Sequence, residues 1–385
     1  MKAKILIVIP DAELGGVTSS AVNFCTELVG NGYNVDVLVM NGSDLPLQVE
    51  VGKIRLRGLA KFWKLGFSDL KKQNWWLIPF LLFISAIKKI TIRINLWYPF
   101  VFSFYKVKGE YDAVIAYRQC APCYYLVTHC VKSTKKIGMI HGDWFARESY
   151  SSWDYMMHDL THVACVSNAC RDAWKTHYPG ISQRFLTIYN MFNVKGIIDS
   201  ANKQEDFHFE THVINLVTVA RVENYSKRID RIPYACQKLK ALGFNRFHWY
   251  VVGDGPDFDI DRQLAEKMTV NDVLTFCGRK NNPFPYLKQA DLFVLTSSCE
   301  SYGMVIKEAF ILGKPVVAMR YPALSEIVNE GVNGLIADQS VDSLVDCISK
   351  MLDNDSQLLK KMTLTLKEQH VSNSIALGQF ESIFK

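Results

Sequence analysis

Asp291-Leu-Phe-Val-Leu-Thr296, Ser297-Ser-Cys-Glu300-Ser-Tyr-Gly303, Met304-Val-Ile-Lys-Glu308-Ala-Phe-Ile-Leu312 and Gly313-Lys-Pro315-Val-Val-Ala-Met319 run on without a break in this 385-residue chain. The first segment is an apolar run of strand length, the second is turn-rich, and the third fits a helix over Met304 to Leu312. Gly313 and Pro315 end that helix in the usual order. Pro315 to Met319 is again continuously apolar. Strands apolar throughout are buried on both faces, so the stretch predicts a βαβ unit in a parallel sheet. Such sheets bind ligands beyond the carboxyl ends of their strands, and Glu300 falls there.

The expected helix start adds chemistry. Backbone N–H groups near Gly303, Met304 and Val305 have no carbonyl above them, and a glycine lets a ligand approach closely. A diphosphate would be held by those donors and the helix dipole. Glu308 lies one turn on, with its Cβ tilted back toward the helix start. It suits hydroxyl donors such as a sugar diol. The set therefore fits a nucleotide-sugar: amides for the diphosphate, Glu308 for the ribose, Glu300 for the donor sugar. Read in isolation, two glutamates eight positions apart also describe a helix-start residue and a solvated loop; the surrounding residues decide.

Those residues carry a family resemblance. Ser298-Cys-Glu-Ser-Tyr-Gly-Met-Val-Ile-Lys-Glu-Ala309, Gly313-Lys-Pro-Val-Val317, Ser325-Glu326-Ile-Val and Asn333-Gly334-Leu resemble the signature of family 4 retaining glycosyltransferases. The resemblance extends over nearly the whole chain, most specifically from Val219 to Ile336. It implies the α/β GT-B fold, two Rossmann-like domains facing each other across a cleft.

Length and composition agree with two domains. A chain of 385 residues suits two cores of about 150–200 residues, and 49% hydrophobic with 21% charged residues describes a globular protein. We expect a Rossmann-like domain over 1–192, a second over 206–365, and a helix from 366 to 385 that, by resemblance, crosses back to the first. Strands are expected at Lys4 to Ile9, Asn34 to Met40, Asp112 to Tyr117, Lys136 to Ile140, His162 to Val166 and Phe185 to Tyr189. The second set is His212 to Val219, Phe247 to Val252, Val273 to Cys277, Asp291 to Thr296, Pro315 to Met319 and Gly334 to Ala337. The polar segment Asn193 to His212 reads as the connection. The start of the chain reads as a buried strand ending at Pro10, not as a signal peptide. Ten scattered cysteines then read as reduced cytosolic thiols. Cys120-Ala-Pro-Cys123 has no second ligand pair and reads as small buried side chains, not a zinc or redox site.

Several residues match further parts of the family pattern. Arg221 follows the first strand of the second domain, and Lys227 with Arg228 precedes a helix. Cations at a helix start are disfavoured by the dipole unless an anion receives them. By resemblance, Arg221 and Lys227 hold the donor diphosphate and stabilise charge on the leaving group. Arg228 stands where the family usually has glycine. Gly253, in Gly253-Asp-Gly-Pro256, resembles a glycine loop of the site and is equally an ordinary tight turn. Gly278 and Arg279 sit where the family holds the base. Gly15 and Gly16, between the first strand and helix, match the glycine loop near the donor phosphates, although a bare Gly-Gly also describes a plain turn. No G-x-G-x-x-G supports NAD binding. His141 follows the strand Lys136 to Ile140 and matches the family's histidine near the donor sugar, an orienting group; Asp143 is a candidate acceptor contact. No residue declares itself a covalent nucleophile, so the expected route is same-face displacement without a metal or other cofactor.

The net charge of +6 is unevenly placed. Lys53 to Lys108 holds 12 basic residues and one acid, Asp69, with Phe62-Trp63, Trp75-Trp76 and Trp97-Tyr98. Trp75 to Ile87 is too short for a bilayer span, which needs about 20 residues. Two readings compete: an insertion packed on the first domain, or basic aromatic helices lying on an anionic membrane. No nucleic-acid motif accompanies the charge. The expected protein is a retaining glycosyltransferase, cytoplasmic and peripheral on the inner face of the membrane. It would move a sugar from a nucleotide-sugar, a UDP-sugar on this reading, to a saccharide or lipid-linked acceptor of a surface polysaccharide or glycolipid. A UDP-sugar epimerase-type isomerase and a non-catalytic sugar- or lipid-binding subunit are the rival readings.

Overall fold

The structure, a computed structural model, describes residues 2–13, 15–47, 49–56, 97–102, 105–142, 154–203, 207–353 and 357–385. It divides into two units, 1–192 with 374–385, and 193–373. The first is built on β1 (Lys4–Ile9), β2 (Asn34–Val39), β3 (Gly52–Ile54), β4 (Glu110–Ala116), β5 (Lys132–Ile140), β6 (His162–Cys165) and β7 (Phe185–Thr187). The strands are parallel, in the order β3-β2-β1-β4-β5-β6-β7. Ile5 to Ile9 are at most 1% exposed, as a strand covered on both faces requires. The C-terminal helix Ser374–Glu381 belongs to this unit: Phe380 packs edge-on against Phe24, with ring centroids 5.4 Å apart, and Lys2 pairs with Glu381 at 3.0 Å.

The second unit contains β8 (Ile214–Val219), β9 (Phe247–Val252), β10 (Leu274–Gly278), β11 (Leu292–Leu295), β12 (Val316–Met319) and β13 (Gly334–Ala337). Its order is β10-β9-β8-β11-β12-β13, again parallel. In each sheet the chain steps outward from its first strand, then returns and steps the other way. The crevice at such a reversal, between β1 and β4 or between β8 and β11, is where doubly wound sheets place ligands.

The structure differs from the sequence pattern at two connections. Val194–Ala201 is a helix of the second unit, started by the Asn193 side chain accepting from the Gly196 amide at 2.9 Å. Eight residues are too few for periodicity to declare themselves among polar neighbours. The segment expected as one helix from 366 to 385 is instead the end of a helix Gln357–Glu368 in the second unit and a separate helix Ser374–Glu381 in the first.

Most of the basic aromatic stretch, 57–96, lies outside the described residues, as does Asp143. Of the stretch's described part, the helix Trp97–Phe102 buries Trp97, Val101 and Phe102 in the first core and leaves Phe100 exposed. The first member of the Trp97-Tyr98 pair is thus a core residue. Cys123 is fully buried against the Met40 sulfur at 3.5 Å, and none of the ten cysteines is in a disulfide among the described residues. Among the described residues no helix is long and apolar enough to cross a membrane.

Candidate active site

In the second unit, the loop after β8 carries Arg221 and Lys227, and the loop after β11 carries Glu300. Backbone bonds zip the loops together: the Ser298 amide donates to the Ser226 carbonyl at 2.8 Å, and the Thr296 hydroxyl to the Lys227 carbonyl at 2.8 Å. Lys227 Nζ consequently reaches Glu300 Oε1 at 2.5 Å, where the Ser297 hydroxyl also donates at 2.8 Å. These side chains are 26% and 14% exposed. The pair spans the β8–β11 crevice, half out of water, where a Coulombic contact outweighs that of a surface pair. Arg221 stands apart, exposed and with no ion pair among the described residues.

Several side chains that periodicity left unremarked hold these loops. Arg231 is 7% exposed; its guanidinium donates to the Thr296 carbonyl at 3.1 Å and to Gln339 Oε1 at 2.8 Å, and Gln339 Nε2 returns to the Ser297 carbonyl at 3.2 Å. The signal was available: Arg231 shares the buried stripe of its helix with Ala235 and Leu239. Asn224 donates to Asp261 Oδ1 at 2.8 Å and accepts from the Asp230 amide at 2.9 Å, bracing the loop that bears Lys227. Nothing in their spacing announces that brace. Arg228, in place of glycine, does adopt the left-handed backbone, φ 52°, and grips Asp230 through two nitrogens at 2.9 and 3.0 Å.

The predicted glycines divide by role. A Cβ on Gly253 would lie 1.7 Å from the Ala220 carbonyl oxygen, so this glycine serves close packing beneath the Arg221 loop. Its amide donates to the Gly278 carbonyl at 3.0 Å, which sets the ends of β9 and β10 side by side, with Arg279 exposed next to them. Gly303 has φ 88° and caps the helix Met304–Ile311; a Cβ there would meet the Tyr321 hydroxyl at 2.3 Å. Met304 and Val305 open that helix, with no acidic residue in its first turn to occupy its amides. Glu308, one turn on, has no hydrogen-bond partner among the described residues, and desolvation raises its carboxyl to about 7. The carboxylate is therefore an acceptor ready for donors that a ligand would bring.

The first unit has its own set. The Asp11–Arg118 pair, 3.3 Å, spans the β1–β4 crevice. Gly15 and Gly16 open the helix Gly16–Gly30, and a Cβ on either would meet nothing within 4 Å. Neither glycine is thus demanded by local packing. His141, just past β5, has its amide on Gln119 Oε1 at 2.9 Å and its Nε2 2.8 Å from the Tyr117 carbonyl. A carbonyl only accepts, so Nε2 carries the proton and Nδ1 is left as an acceptor. Burial, reinforced by Arg118 and opposed by the Tyr117 bond, lowers the imidazole to about 4. At neutral pH His141 is uncharged and unsuited to donate a proton from Nδ1.

The family model for glycosyltransferase family 4 matches residues 14–195, and that for glycosyl transferases group 1 matches residues 199–368. The chain belongs to the family 4 glycosyltransferases of GT-B fold. N-acetyl-alpha-D-glucosaminyl L-malate synthase of Bacillus anthracis is 30% identical over 177 residues, 45% of this chain and 44% of the relative. The lipopolysaccharide core biosynthesis glycosyltransferase LpsD of Rhizobium meliloti is 29% identical over 31% of this chain and 34% of its own. The matches thus span less than half the length of these relatives. Among solved structures, S. aureus TarM, crystallised with UDP, superposes with TM-score 0.71 at 14% identity over 100% of both chains. Anabaena HepE with UDP gives 0.65 at 14% identity over 99% of both. At such identities the superpositions speak for the GT-B fold.

Proposed function

We propose that this protein is a retaining, nucleotide-sugar-dependent glycosyltransferase that acts on a saccharide or lipid-linked acceptor in surface polysaccharide or glycolipid synthesis. The observation that carries the reading is the residue set at the β8–β11 crevice. Lys227 and Glu300 are in contact, and among the described residues Arg221 has no ion pair and Glu308, one turn inside a helix start, has no hydrogen-bond partner. Arg221, Lys227 and the amides of Gly303, Met304 and Val305 supply positive potential for a diphosphate. Glu308 accepts from the ribose hydroxyls and Glu300 from the donor sugar. UDP bound to TarM and HepE favours uridine as the base.

In the reaction, an acceptor hydroxyl oxygen bonds to the anomeric carbon while the bond from that carbon to the phosphate oxygen breaks. The hydroxyl proton passes to the departing nucleoside diphosphate on the same face. Negative charge then grows on the leaving phosphate, where Lys227 and Arg221 are most effective. Lys227 must exchange part of its bond with Glu300 for the phosphate, and that frees a Glu300 oxygen for the sugar. His141 offers Nδ1 as an acceptor that orients a hydroxyl. The protein would work in the cytoplasm, peripheral to the inner face of the membrane.

The test is incubation with a panel of nucleotide-sugars, with and without saccharide or lipid-linked acceptors, with the anomeric outcome read by NMR. Transfer with retention is expected. Epimerised sugar released without acceptor would make the protein an isomerase, and binding without turnover would make it a binding subunit.

A further inference from the structure

An open cavity lies at the opposite end of the second sheet from Glu300. It measures about 750 Å³, within the range of small-molecule pockets. Ile214 opens β8, Asp291 directly precedes β11 and Lys314 precedes β12, so the cavity sits at the amino-terminal edge of these strands. Its apolar lining comes from Val213, Ile214, Leu352 and Leu359. On the helix Gln357–Glu368, Lys360, Leu364 and Lys367 recur at the spacing of one face and line the opening; Leu364 is 60% exposed.

The charges in this cavity are unbalanced. Arg246, Lys314, Lys360 and Lys367 face it with Asp291 and Asp353. Asp291 is partly committed, since its Oδ2 accepts from the Asn215 amide at 2.8 Å. Lys367 lies over the turn before Lys314: a Cβ on Gly313 would come within 3.6 Å of Lys367 Cγ. The Lys314 ammonium has no hydrogen bond among the described residues. Burial, together with the like charges of Lys367 and Lys288 and against the attraction of Asp291, holds its pKa below the ordinary lysine value. A desolvated, unpaired ammonium beside other cations costs folding free energy. It would be relieved by an anion. The excess of two positive charges matches a phosphomonoester, which carries about −1.5 to −2 at neutral pH, better than a carboxylate or a phosphodiester. The apolar floor asks for a hydrocarbon attached to that head.

We propose that this cavity is a second binding site, for an amphiphile with a phosphomonoester head, whose phosphate is received by Lys314, Lys367 and Arg246 and whose chain lies along Ile214, Leu352 and Leu359. The site is independent of the donor residues, which occupy the other end of the sheet. None of its lining residues belongs to the 53–108 stretch, so variants of the two can be tested separately.

The experiment is calorimetric titration and thermal melting of the full chain. The probes are dihexanoyl phosphatidic acid below its micellar concentration, dihexanoyl phosphatidylcholine, and inorganic phosphate. Phosphatidic acid is expected to bind at least tenfold more tightly than either of the others and to raise the melting temperature. Lys314→Met should weaken that binding at least tenfold while raising the melting temperature of the ligand-free protein, because it removes the unpaired charge and keeps the stem. A folding defect would lower both, so the opposite signs identify a binding role. Lys367→Gln, at an exposed position, should weaken binding without altering the fold. Absence of phosphatidic acid binding would overturn the proposal. So would equal binding of the phosphatidylcholine, which leaves only an apolar groove, or of free phosphate, which leaves only an anion site. Unchanged affinity in Lys314→Met would overturn it as well.

Discussion

The two sheets share a strand order and reverse direction at equivalent places, yet they equip those crevices differently. Between β8 and β11 the bridging pair is Lys227–Glu300, at 2.5 Å and largely sheltered. Between β1 and β4 it is Asp11–Arg118, at 3.3 Å, with the arginine 48% exposed. The second-unit pair is framed by two loops bonded to each other and by Arg231 and Gln339 beneath them. The titratable ring beside the first unit's crevice, His141, is instead kept neutral by burial, against the pull of its bond to the Tyr117 carbonyl. Topology supplies a crevice in both sheets. The residues laid into it give one a sheltered ion pair and the other a half-exposed pair beside glycines with open space around them.

The sharpest way to break this contrast is to remove the cation from each pair. Lys227→Met should lower turnover about 10²–10³-fold, the usual cost of losing one preorganised donor to developing charge. Arg118→Met should cost less than tenfold, because a half-exposed pair at longer range contributes little. Steady-state kinetics with a nucleotide-sugar donor measure both. Equal losses would mean that the two crevices carry charge chemistry alike.

Glu308 distinguishes the units next. Its carboxyl titrates near 7 because it is desolvated without a partner, and only the carboxylate accepts from a diol. Donor affinity should therefore fall about tenfold per pH unit below 7 and level off above it. Glu308→Gln should weaken donor binding about 10–100-fold, the loss of a charge-assisted hydrogen bond or two, and remove this pH dependence. The ligand-free protein should respond oppositely. A carboxyl whose folded pKa exceeds its unfolded value costs stability progressively as pH rises from about 4.5 to about 7. Calorimetric titration and urea unfolding across that window check the two halves. A pH-independent donor affinity would remove Glu308 from the site.

The contrast was partly legible in the sequence. The Asp291–Met319 run declares its βαβ unit because unbroken apolar strands and a Gly–Pro helix stop leave few alternatives. Glu300, Glu308 and the Gly303 cap follow from where that unit must end. What could not be read is side-chain reach between loops distant in sequence. The contact of Lys227 with Glu300 depends on the Ser298 amide and Thr296 hydroxyl tying the two loops, and no spacing rule encodes that. Gly253 shows the limit from the other side. It matches a ligand-loop pattern, yet its lack of a side chain is demanded by the Ala220 carbonyl.

His141 gives a smaller effect. Its imidazole is lowered to about 4, so the turnover profile between pH 5.5 and 8 should carry no limb from it. His141→Gln should cost about tenfold or less, as expected of a group that orients and does not transfer a proton. Stability tells the same story with a defined sign. A histidine whose folded pKa is depressed contributes stability above about 6.5 that is lost as pH falls toward 4. Urea unfolding should show that acid slope in the wild type and a reduced slope in the variant. A rate limb near 6.5 that disappears in His141→Gln would instead make it an acid or base.

The smallest expected change concerns how the Lys227 loop keeps its shape. Arg228 holds φ 52°, a left-handed conformation that costs a non-glycine residue about 1–2 kcal/mol. Its two-nitrogen grip on Asp230 returns up to about 1 kcal/mol at this partly exposed site. Arg228→Gly removes the strain and the grip together and adds backbone freedom to the unfolded chain, worth about 0.5–1 kcal/mol. These terms nearly cancel, so its stability should stay within about 1 kcal/mol of wild type. Arg228→Ala keeps the strain and loses the grip, and should be the less stable of the two. Turnover should follow the same order, because Lys227 precedes this residue and its aim at Glu300 depends on the turn. If the alanine variant proved the more stable, the grip on Asp230 would not be what holds the loop, and the Asn224 brace would have to set its shape alone.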